Sequence, residues 1–533
     1  MERATLPSTS RWMFCSIPSF PSEWNSSTIH LDAGVGTLKI LMASSEVVPF
    51  AKTGGLADVC GSLPVELAKL GHQISVIMPA FRSVTKTDIP LTDTGLAVDI
   101  PIGSKIVSGR ILRSQLPGSN VPVFFVEQPD YFDRNELYRE SGEDYKDNCE
   151  RFVFFCRAVM ECVRLLDLDI DLIHANDWQT GLIPALQKIE YESAPGYEHI
   201  ATLLTIHNMA YQGQFWHWDM LLTGIDWKYF NWHQMEYYGN LNLLKTGIVF
   251  SDSINTVSPR YAQEIQTDPF GCGLENVLGH RRKVLSGIIN GVSYDAWNPA
   301  TDPHLASNFD PTDWQTGKLS CKTDLQQRLE LPTKPDVPLI GLVGRLADQK
   351  GFDLVAQVMR HWVTSRDVQW AILGTGEPSY HELFKQLSAD YPDRVAAKLE
   401  FSNEWAHQIE AGADIFLMPS RYEPCGLNQL YSLKYGTVPV VHATGGLADS
   451  IADASPSNLS AQSANGFSFD VYEAAALERT LDRACEMYRD DKPTWNQLVN
   501  TGMQQDWSWA ESARKYAELY ESTIARANSA VCA

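Results

Sequence analysis

Short apolar runs of strand length alternate with longer stretches of helical spacing along most of the chain. In the first half, the apolar runs predict strands at residues 38–43, 74–78, 123–126, 172–174, 202–206 and 253–257. Between them, apolar residues recur every three or four positions over 56–70 and 150–166, which is the spacing of a helix with one buried face. This alternation predicts βαβ units and therefore a parallel sheet.

The pattern breaks and then resumes in the second half. Residues 294–337 carry five prolines and few strand signals, which predicts a connecting region. Further apolar runs predict a second parallel sheet, and an amphipathic stretch at 507–520 predicts a long helix; the runs lie at 339–343, 369–373, 415–418 and 438–441. Open α/β domains bind ligands at the carboxyl ends of their strands, so we expect the two domains to face a shared cleft.

These patterns predict five segments. They are an extension at 1–36, a first α/β domain at 37–292, a linker at 293–337, a second α/β domain at 338–500, and a segment at 501–533 whose helix crosses back to the first domain.

A glycine turn with a lysine lies between the first predicted strand and the first predicted helix. Gly54 and Gly55 allow the backbone to approach a ligand closely, and the helix start presents free amides to an anion. Lys52 adds a mobile cation, so the turn suits a phosphate linked to a nucleotide, although many such turns bind nothing. The six residues Thr53–Asp58 recur unchanged at Thr444–Asp449, which predicts two related halves that face one another.

Polar residues follow two other predicted strands of the first half. Asp177 comes shortly after the strand at 172–174, where it is suited either to bind sugar hydroxyls or to cap a helix, and the residues leave both roles open. His207 directly follows the strand at 202–206. Because several successive loops carry polar residues at the same edge of the sheet, a functional role is favoured over a structural one.

Asp167, Asp169 and Asp171 form a D-x-D-x-D pattern that could bind a divalent metal. Their alternation with Leu168 and Ile170 is more typical of the solvated face of a strand start. We therefore expect no metal site here.

Two loops of the second half combine charge with turn residues. Arg345 and Lys350 lie in the turn after the strand at 339–343 and predict a diphosphate clamp, with an exposed basic loop as the alternative. Glu423 precedes Pro-Cys-Gly at a predicted helix start, so that amides of Cys425–Leu427 would face a phosphate while Glu423 binds sugar hydroxyls. The alternative for Glu423 is a simple partner of the helix dipole.

Composition narrows the classes of function. A net charge of −22 argues against sequence-independent binding to nucleic acid or to an acidic membrane, and no apolar run has the length of a membrane span. Ten scattered cysteines without a CxxC pair favour a reducing compartment. The Ser- and Pro-rich residues 1–36 predict a disordered or partly docked extension, with a plastid transit peptide, atypical in its acidic residues, as the alternative.

Together and in this order, these stretches resemble the family of bacterial glycogen synthases and plant starch synthases. The resemblance covers about residues 37–525 and rests on the stretches at 52–59, around His174 and His207, at 290–291, 344–351, 423–429, 444–449 and 506–520. It implies two Rossmann-like domains that face a deep interdomain cleft, the GT-B type of α/β fold.

The same resemblance implies an activity and its setting. The expected reaction is transfer of glucose from ADP-glucose to the non-reducing 4-OH of an α-1,4-glucan (a malto-oligosaccharide, glycogen or starch), with retention and without a metal or other cofactor. The expected location is the bacterial cytoplasm, or the plastid stroma or starch granule. The oligomeric state stays open.

The resemblance also implies which residues form the site. Lys52, Arg345 and Lys350 would neutralise the diphosphate, while Asp177, His207, Asn290 and Glu423 would surround the transferred glucosyl group. The donor-binding residues would be Gly54, Gly55, Asp58, Asn290, Phe401, Cys425, Gly426, Leu427 and Thr444, with Asp58 orienting Lys52 or contacting the donor.

Two positions depart from the family pattern. Phe401 lies near where the family often stacks a tyrosine on adenine, so the ring is kept and the hydroxyl is lost. Tyr431 lies eight residues after Glu423, where the wider superfamily often has a ribose-binding glutamate. Ribose recognition is therefore not predicted by that rule.

Three other functions compete with this one. A glucosyltransferase of the same fold that uses UDP-glucose is the nearest, and a non-catalytic glucan-binding protein belongs to another class. A nicotinamide dehydrogenase is disfavoured because no GxGxxG opens either half. Because no carboxylate stands out as a covalent nucleophile, we expect same-face displacement in which the leaving phosphate assists deprotonation of the acceptor.

Overall fold

Two sheets, each flanked by helices, form the framework of the computed structural model, which describes residues 36–531. The chain divides into a unit of residues 1–37 and a unit of residues 38–533 that contains both sheets. Apart from residue 36, the predicted extension at 1–36 lies outside the described residues.

The strands of the described residues are, in chain order, β1 (Lys39–Ala43), β2 (Gln73–Pro79), β3 (Thr92–Ile102), β4 (Lys105–Gln115), β5 (Pro122–Glu127), β6 (Arg139–Glu140), β7 (Glu143–Asp144), β8 (Leu172–Asn176), β9 (Ala201–Ile206), β10 (Gln214–Trp216), β11 (Glu236–Tyr237), β12 (Asn240–Asn242), β13 (Ser253–Thr256), β14 (Leu285–Gly287), β15 (Leu339–Val343), β16 (Gln369–Leu373), β17 (Val395–Lys398), β18 (Ile415–Met418), β19 (Val438–His442) and β20 (Phe467–Phe469).

The helices are α1 (Gly55–Lys69), α2 (Arg82–Thr85), α3 (Pro129–Phe132), α4 (Asn148–Leu165), α5 (Ile183–Leu186), α6 (Met220–Thr223), α7 (Leu243–Phe250), α8 (Pro259–Glu264), α9 (Glu275–His280), α10 (Trp314–Arg328), α11 (Phe352–Ser365), α12 (Pro378–Asp390), α13 (Asn403–Gly412), α14 (Asn428–Lys434), α15 (Gly445–Ser450), α16 (Pro456–Ser460), α17 (Ala474–Asp490), α18 (Lys492–Gln504) and α19 (Trp509–Val531).

The first sheet has the order β14-β13-β9-β8-β1-β2-β5-β4-β3. Its neighbours from β14 to β5 are parallel, and β4 and β3 continue it as an antiparallel hairpin. All six strands predicted in the first half are present as parallel members. Their side chains are mostly buried, which is why these strands read as continuous apolar runs.

The second sheet has the order β17-β16-β15-β18-β19-β20 and is parallel throughout. It contains the four strands predicted in the second half. Two Rossmann-like α/β domains, the fold class expected from the sequence, are therefore confirmed.

Residues 293–337, expected to be a linker, contain the helix α10. Its residues Trp314 and Cys321 lie in the core of the second sheet, and Leu325 packs in a neighbouring cluster of the same half. The simple linker expected here is therefore wrong for residues 314–328, which belong to the packing of the second half.

The C-terminal helix α19 packs against α1 and β9 of the first half. Trp509, Tyr516 and Tyr520 are part of the first core, and the Tyr520 hydroxyl lies 2.9 Å from Nδ1 of buried His174. The chain thus passes between the halves twice, and the two passages pair where the amide of Val292 donates to the Trp507 carbonyl (2.7 Å).

Each parallel sheet has a point at which the chain reverses its direction of progress across the sheet. In the first sheet this point lies between β1 and β8, and in the second between β15 and β18. The loops that follow these strands diverge on opposite sides and leave a crevice at the carboxyl edge, the usual ligand position in such folds. The glycine turn, Asp177, Arg345, Lys350 and the segment at 423–427 lie in these four loops, and His207 and Asn290 follow the neighbouring strands β9 and β14.

Candidate active site

A cavity of about 790 Å³ lies between the two sheets and is lined by residues of both. The predicted site residues that line it are Gly54, Gly55, Asp177, His207, Asn290, Arg345, Lys350, Glu423, Cys425, Gly426 and Leu427. The remaining predicted residues, Lys52, Asp58, Phe401 and Thr444, are not among its lining residues.

The glycine turn after β1 is organised by a buried carboxylate. Glu46 accepts hydrogen bonds from the backbone amides of Thr53 and Gly54 and from the Thr53 hydroxyl (2.6 Å), and the Tyr138 hydroxyl donates to it as well (2.8 Å). An added Cβ at Gly54 or Gly55 would meet nothing within 4 Å. The turn is thus held from behind by Glu46 while its glycines border open space.

Lys52 lies just outside this turn. Its ammonium group is 2.7 Å from Oδ1 of Asp58, and its side chain is about half exposed. Asp58 therefore holds Lys52, which is one of the two roles expected for that aspartate. In this arrangement the lysine does not reach the cavity wall.

Asp177 and His207 form the part of the wall that follows β8 and β9. The Asp177 side chain makes no helix-cap hydrogen bond; instead its Oδ1 accepts from the backbone amide of His207 at 2.7 Å. The φ angle of Asp177 is +57°, an unusual conformation for a non-glycine residue that directs the backbone sharply after the strand.

Burial shifts the pKa values of Asp177 and His207 in opposite directions. It raises the pKa of Asp177 to about 7 and lowers the pKa of His207 to about 3, since both shifts oppose the charged form. The His207 ring lies 3.0 Å from Oδ1 of Asn176 through Nε2. At neutral pH this wall therefore presents an uncharged imidazole beside a partly protonated carboxyl group.

The opposite wall comes from the loops after β15 and β18. The Lys350 ammonium lies 2.6 Å from Oε2 of Glu423, and the Ser420 hydroxyl donates to the same oxygen at 3.1 Å. Arg345 donates to the Gln349 side chain at 2.6 Å and is exposed toward the cavity. Gly351 has φ +80°, and a Cβ there would lie 2.0 Å from the Pro419 carbonyl oxygen, so this close loop contact requires glycine.

The segment after Glu423 contributes backbone rather than reactive side chains. Gly426 has φ +70°, and α14 begins at Asn428. Burial raises the pKa of the Cys425 thiol to about 12, so this cysteine is uncharged at neutral pH. Asn290, which follows β14 of the first half, also lines the cavity, and no donor among the described residues lies within hydrogen-bonding distance of its buried Oδ1.

Thr444 lies in a contact between the two halves and not on the cavity. Its hydroxyl and the amide of Gly445 both donate to the buried carboxylate of Glu264, at 3.2 and 3.1 Å. A Cβ on Gly445 or Gly446 would lie 2.0 Å from the carbonyl oxygen of Glu423 or Cys425. The structure therefore does not bring Thr444 to the cavity, since its hydroxyl is bonded to Glu264, and its role in donor binding stays a prediction.

Two models of protein families match the chain. Residues 39–280 match the starch synthase catalytic domain, and residues 324–500 match the glycosyl transferases group 1. A glycogen synthase of Rhodopirellula baltica is 47% identical over 497 residues, which cover 91% of this chain and 98% of that protein. The chain belongs to the glycogen and starch synthase family.

Other comparisons agree with this assignment. A glycogen synthase of Syntrophotalea carbinolica is 45% identical over 487 residues, covering 91% of this chain and 99% of that protein. The catalytic domain of Starch Synthase IV from Arabidopsis thaliana, solved with ADP and acarbose bound, is 31% identical, covers 92% of this chain and 100% of that chain, and superimposes with a TM-score of 0.84. The family resemblance and the GT-B fold expected from the sequence are confirmed.

Neither of the two residues that depart from the family pattern, Phe401 and Tyr431, lines the cavity. Phe401 is 90% exposed and lies outside the cavity lining, so the structure does not bring it to the expected donor site. Tyr431 is stacked on Trp297, with ring centroids 3.9 Å apart and planes 3° apart, and His407 stacks on Trp297 as well (3.7 Å). The tyrosine thus packs in an aromatic stack at the position where the superfamily often has a glutamate.

Several residues of the site were not predicted from the sequence. Glu46, Tyr138, Gln349 and Asn428 line the cavity, and Glu46 orders the glycine turn. An acidic residue within a buried segment just before a Thr-Gly-Gly turn is a signal that could have identified Glu46, since turn amides that are shielded from water need an acceptor.

Nothing in residues 36–531 forms a group of three or more His, Cys, Asp or Glu side chains suited to hold a metal ion. Of the D-x-D-x-D pattern, Asp169 pairs with the Lys39 ammonium group and Asp171 accepts from the Lys39 amide (2.8 Å) at the start of β1. In the same range, no helix is long and apolar enough to cross a membrane.

Proposed function

We propose that this chain transfers glucose from ADP-glucose to the non-reducing 4-OH of an α-1,4-glucan with retention of configuration. One observation carries the proposal: a single cavity joins the open glycine turn at Gly54 and Gly55 to the Lys350–Glu423 pair and Arg345 of the other half. The family relative solved with ADP and acarbose supports it, because ADP is the leaving group of this reaction.

The diphosphate of the donor is assigned to the basic side of the cavity. In a chain of net charge −22, an anionic donor needs local positive charge, and Arg345 and Lys350 supply it. Backbone amides near Gly55 and Gly426 add dipoles that favour the charge growing on the leaving group. By analogy with oxyanion-hole donors, each such group contributes about 3 kcal/mol to lowering the barrier. Lys52 joins them when it is released from Asp58.

The transferred glucosyl group is assigned to the opposite wall. The buried, unpartnered Oδ1 of Asn290 suits a sugar hydroxyl as donor, and the uncharged ring of His207 suits another. Asp177 accepts or donates according to its protonation, since its pKa is about 7. At neutral pH the amide and the imidazole are uncharged and the carboxyl group is half protonated, which suits hydrogen bonds to the hydroxyls of a sugar.

The proposed step breaks the bond from the anomeric carbon to the diphosphate oxygen and forms the bond to O4 of the acceptor on the same face. The acceptor proton passes to an oxygen of the leaving diphosphate, so that the products are ADP and a glucan longer by one residue. We infer that Arg345 and Lys350 provide the positive charge for this step and that no metal is needed. Glu423 is held by Lys350 and Ser420 and is assigned to binding rather than to nucleophilic attack.

The test is ADP release and incorporation of label from ADP-glucose into glycogen, with UDP-glucose as the competing donor and with a chelator in a parallel reaction. We expect ADP-glucose to be preferred, activity to survive chelation, and Arg345→Ala, Lys350→Ala and Glu423→Ala to lower kcat at least a hundredfold with unchanged circular dichroism. Preference for UDP-glucose would overturn the donor assignment. Glucan binding without ADP release would make the chain a non-catalytic binder, and a trapped glucosyl–carboxylate adduct would overturn the same-face step.

A further inference from the structure

Exposed aromatic rings cluster in the segment that follows the cavity wall of the first half. Eleven large apolar side chains are exposed among the described residues, and seven of them lie within residues 211–238. Four of these are tryptophans, whereas the other tryptophans at positions 36–531 are buried or half-buried. Scattered exposed apolar residues are ordinary, but a cluster of this kind marks a binding surface. The rings of the cluster, here called the aromatic platform, are Trp216, Trp218, Trp227, Trp232 and Tyr238.

The aromatic platform is continuous with the cavity. Tyr211 and residues 213–215 line the cavity, and Trp216 is the next residue of the same strand, β10. Along β10, Gln214 and Trp216 are exposed and Phe215 is half-buried against Trp178. A chain molecule with one end in the cavity can therefore continue directly onto these rings.

The rings stand on an ordered backbone. Strand β10 pairs with β12, which pairs with β11, and buried Lys245 donates to the carbonyl oxygens of Trp232 (2.6 Å) and Glu236 (2.5 Å). Trp218 contacts Trp216 and Trp227, with ring centroids 6.4 and 5.5 Å away. The backbone that carries the rings and the group Trp216, Trp218 and Trp227 are thus arranged before any partner arrives, which lowers the entropic cost of binding.

The chemistry of the aromatic platform suits a neutral polysaccharide. Pyranose rings present C–H faces that pack on aromatic rings and hydroxyls that bond to nearby polar groups, and indole combines an apolar face with an N–H donor. His217, Asp219, Asp226 and His233 supply polar groups between the tryptophans. Because an α-glucan is uncharged, the acidic surface of this protein does not oppose its approach.

We propose that the aromatic platform binds a segment of the same α-1,4-glucan chain whose non-reducing end is elongated in the cavity. The proposal rests on the function proposed above and extends it: the aromatic platform selects long acceptors over short ones. A second copy of this chain is the competing occupant of such a surface.

The experiment uses the full chain with Trp216, Trp218 and Trp232 replaced together by Ala, and Ile106→Ala, an exposed apolar residue of β4, as the matched control. Mobility in native gels that contain glycogen measures binding without any nucleotide sugar. We expect the triple variant to lose at least tenfold in glycogen affinity and to raise KM for glycogen at least tenfold. KM and kcat with maltotriose are expected to stay within twofold, and the corresponding triple Phe variant is expected to keep most of the glycogen affinity.

Unchanged glycogen affinity in the triple Ala variant would overturn the proposal. So would an equal loss of activity with maltotriose and with glycogen, or a shift from dimer to monomer in sedimentation with glycogen binding kept, which would assign the surface to a second copy. If the parent chain binds glycogen through these tryptophans and yet releases no ADP from ADP-glucose, the proposed catalysis fails while the assignment of the aromatic platform to glucan stands.

Discussion

Asp177 and His207 lie one hydrogen bond apart and are shifted in opposite directions by the same burial. Near pH 7 an acid with a pKa of about 7 is half protonated, and an imidazole with a pKa of about 3 is uncharged. Burial is the main cause of both shifts; the hydrogen bond from the His207 backbone amide lowers the pKa of Asp177 only in part, and the nearby Glu46 carboxylate raises it further. This combination suits a wall that binds hydroxyls.

The raised pKa of Asp177 predicts that ionisation of its carboxyl group lowers the free energy of unfolding as the pH rises. Asp177→Asn removes this pH dependence. The carboxyl is protonated in the folded chain up to about pH 7 but only to about pH 4 when unfolded, so its stabilising effect is complete at low pH and is lost as the pH rises through 7. We expect the parent chain to lose stability relative to Asp177→Asn between pH 5 and 8, by about 1.4 kcal/mol for each pKa unit involved. Urea unfolding at both pH values measures this difference, with exposed Asp88→Asn as the control. If the difference in the free energy of unfolding between the parent chain and Asp177→Asn is independent of pH, the raised pKa of Asp177 is contradicted.

Identical sequence does not give the two Thr-Gly-Gly copies identical surroundings. In both copies a glutamate accepts hydrogen bonds from the turn, but Glu46 belongs to the same half as its turn and Glu264 to the opposite one. The glycines of the first copy border open space, whereas those of the second pack against the backbone at 423–425. The repeat therefore indicated related turns correctly and could not tell which of them is open to a ligand.

This difference predicts that a glycine-to-alanine substitution lowers stability in the second turn and impairs donor binding in the first. Gly446→Ala places a methyl group 2.0 Å from the Cys425 carbonyl oxygen, so we expect a loss of about 1–3 kcal/mol in the free energy of unfolding. Gly55→Ala meets no protein atom within 4 Å and is expected to keep full stability. If the donor approaches this turn, its KM for ADP-glucose rises at least tenfold. Unfolding curves and initial rates for the pair decide the point, and a fully active Gly55→Ala would remove the turn from the donor site.

At the scale of elements, the sequence predicted the central strands, which are buried on both faces. It missed the hairpin of β3 and β4 and the helix α10, which lack a continuous apolar pattern. The central strands of both sheets appear as apolar runs, so their order along the chain and their parallel class followed directly. The hairpin of β3 and β4 alternates exposed and buried residues over eleven positions in each strand and lacks such a run. Helix α10 was missed because its buried face includes Lys318 and Lys322, which read as solvent-exposed charges in the sequence.

The buried lysines of α10 predict that Lys322 contributes to the free energy of unfolding. Lys322 lies 2.7 Å from Asp414 and donates to the carbonyl oxygens of Pro335 and Val337, with only 3% of its side chain exposed. Because Lys322→Ala leaves a buried carboxylate without its partner, we expect a loss of about 3–5 kcal/mol in the free energy of unfolding. Exposed Gln327→Ala on the same helix is the control. Equal urea midpoints for the two variants would show that α10 does not depend on this ion pair.

At the scale of the whole molecule, contacts of a few residues join the two halves beside the cavity. Helix α8 of the first half packs on α15 of the second. Their ends are bonded reciprocally: Glu264 accepts from the amide of Gly445, and Asp449 accepts from the amide of Arg260 (2.7 Å). The sequence predicted a cleft but could not predict this contact, since nothing local links Glu264 to a turn 180 residues away. We expect the separation of the cavity walls to depend on such contacts.

Removing the carboxylate of Glu264 should therefore change how the halves are held together, and not how each one folds. In Glu264→Ala, the Thr444 hydroxyl and the Gly445 amide lose their acceptor and the pair with Arg260 is broken. We expect a larger radius of gyration in small-angle scattering. We also expect a several-fold rise in KM for ADP-glucose, because in the function proposed above Gly55 and Lys350 bind one donor from opposite walls of the cavity. Gln263→Ala, exposed on the same helix, should alter neither quantity. Unchanged scattering together with an unchanged KM in Glu264→Ala would show that the spacing of the walls is set elsewhere, at the paired crossings near Val292 and Ser508.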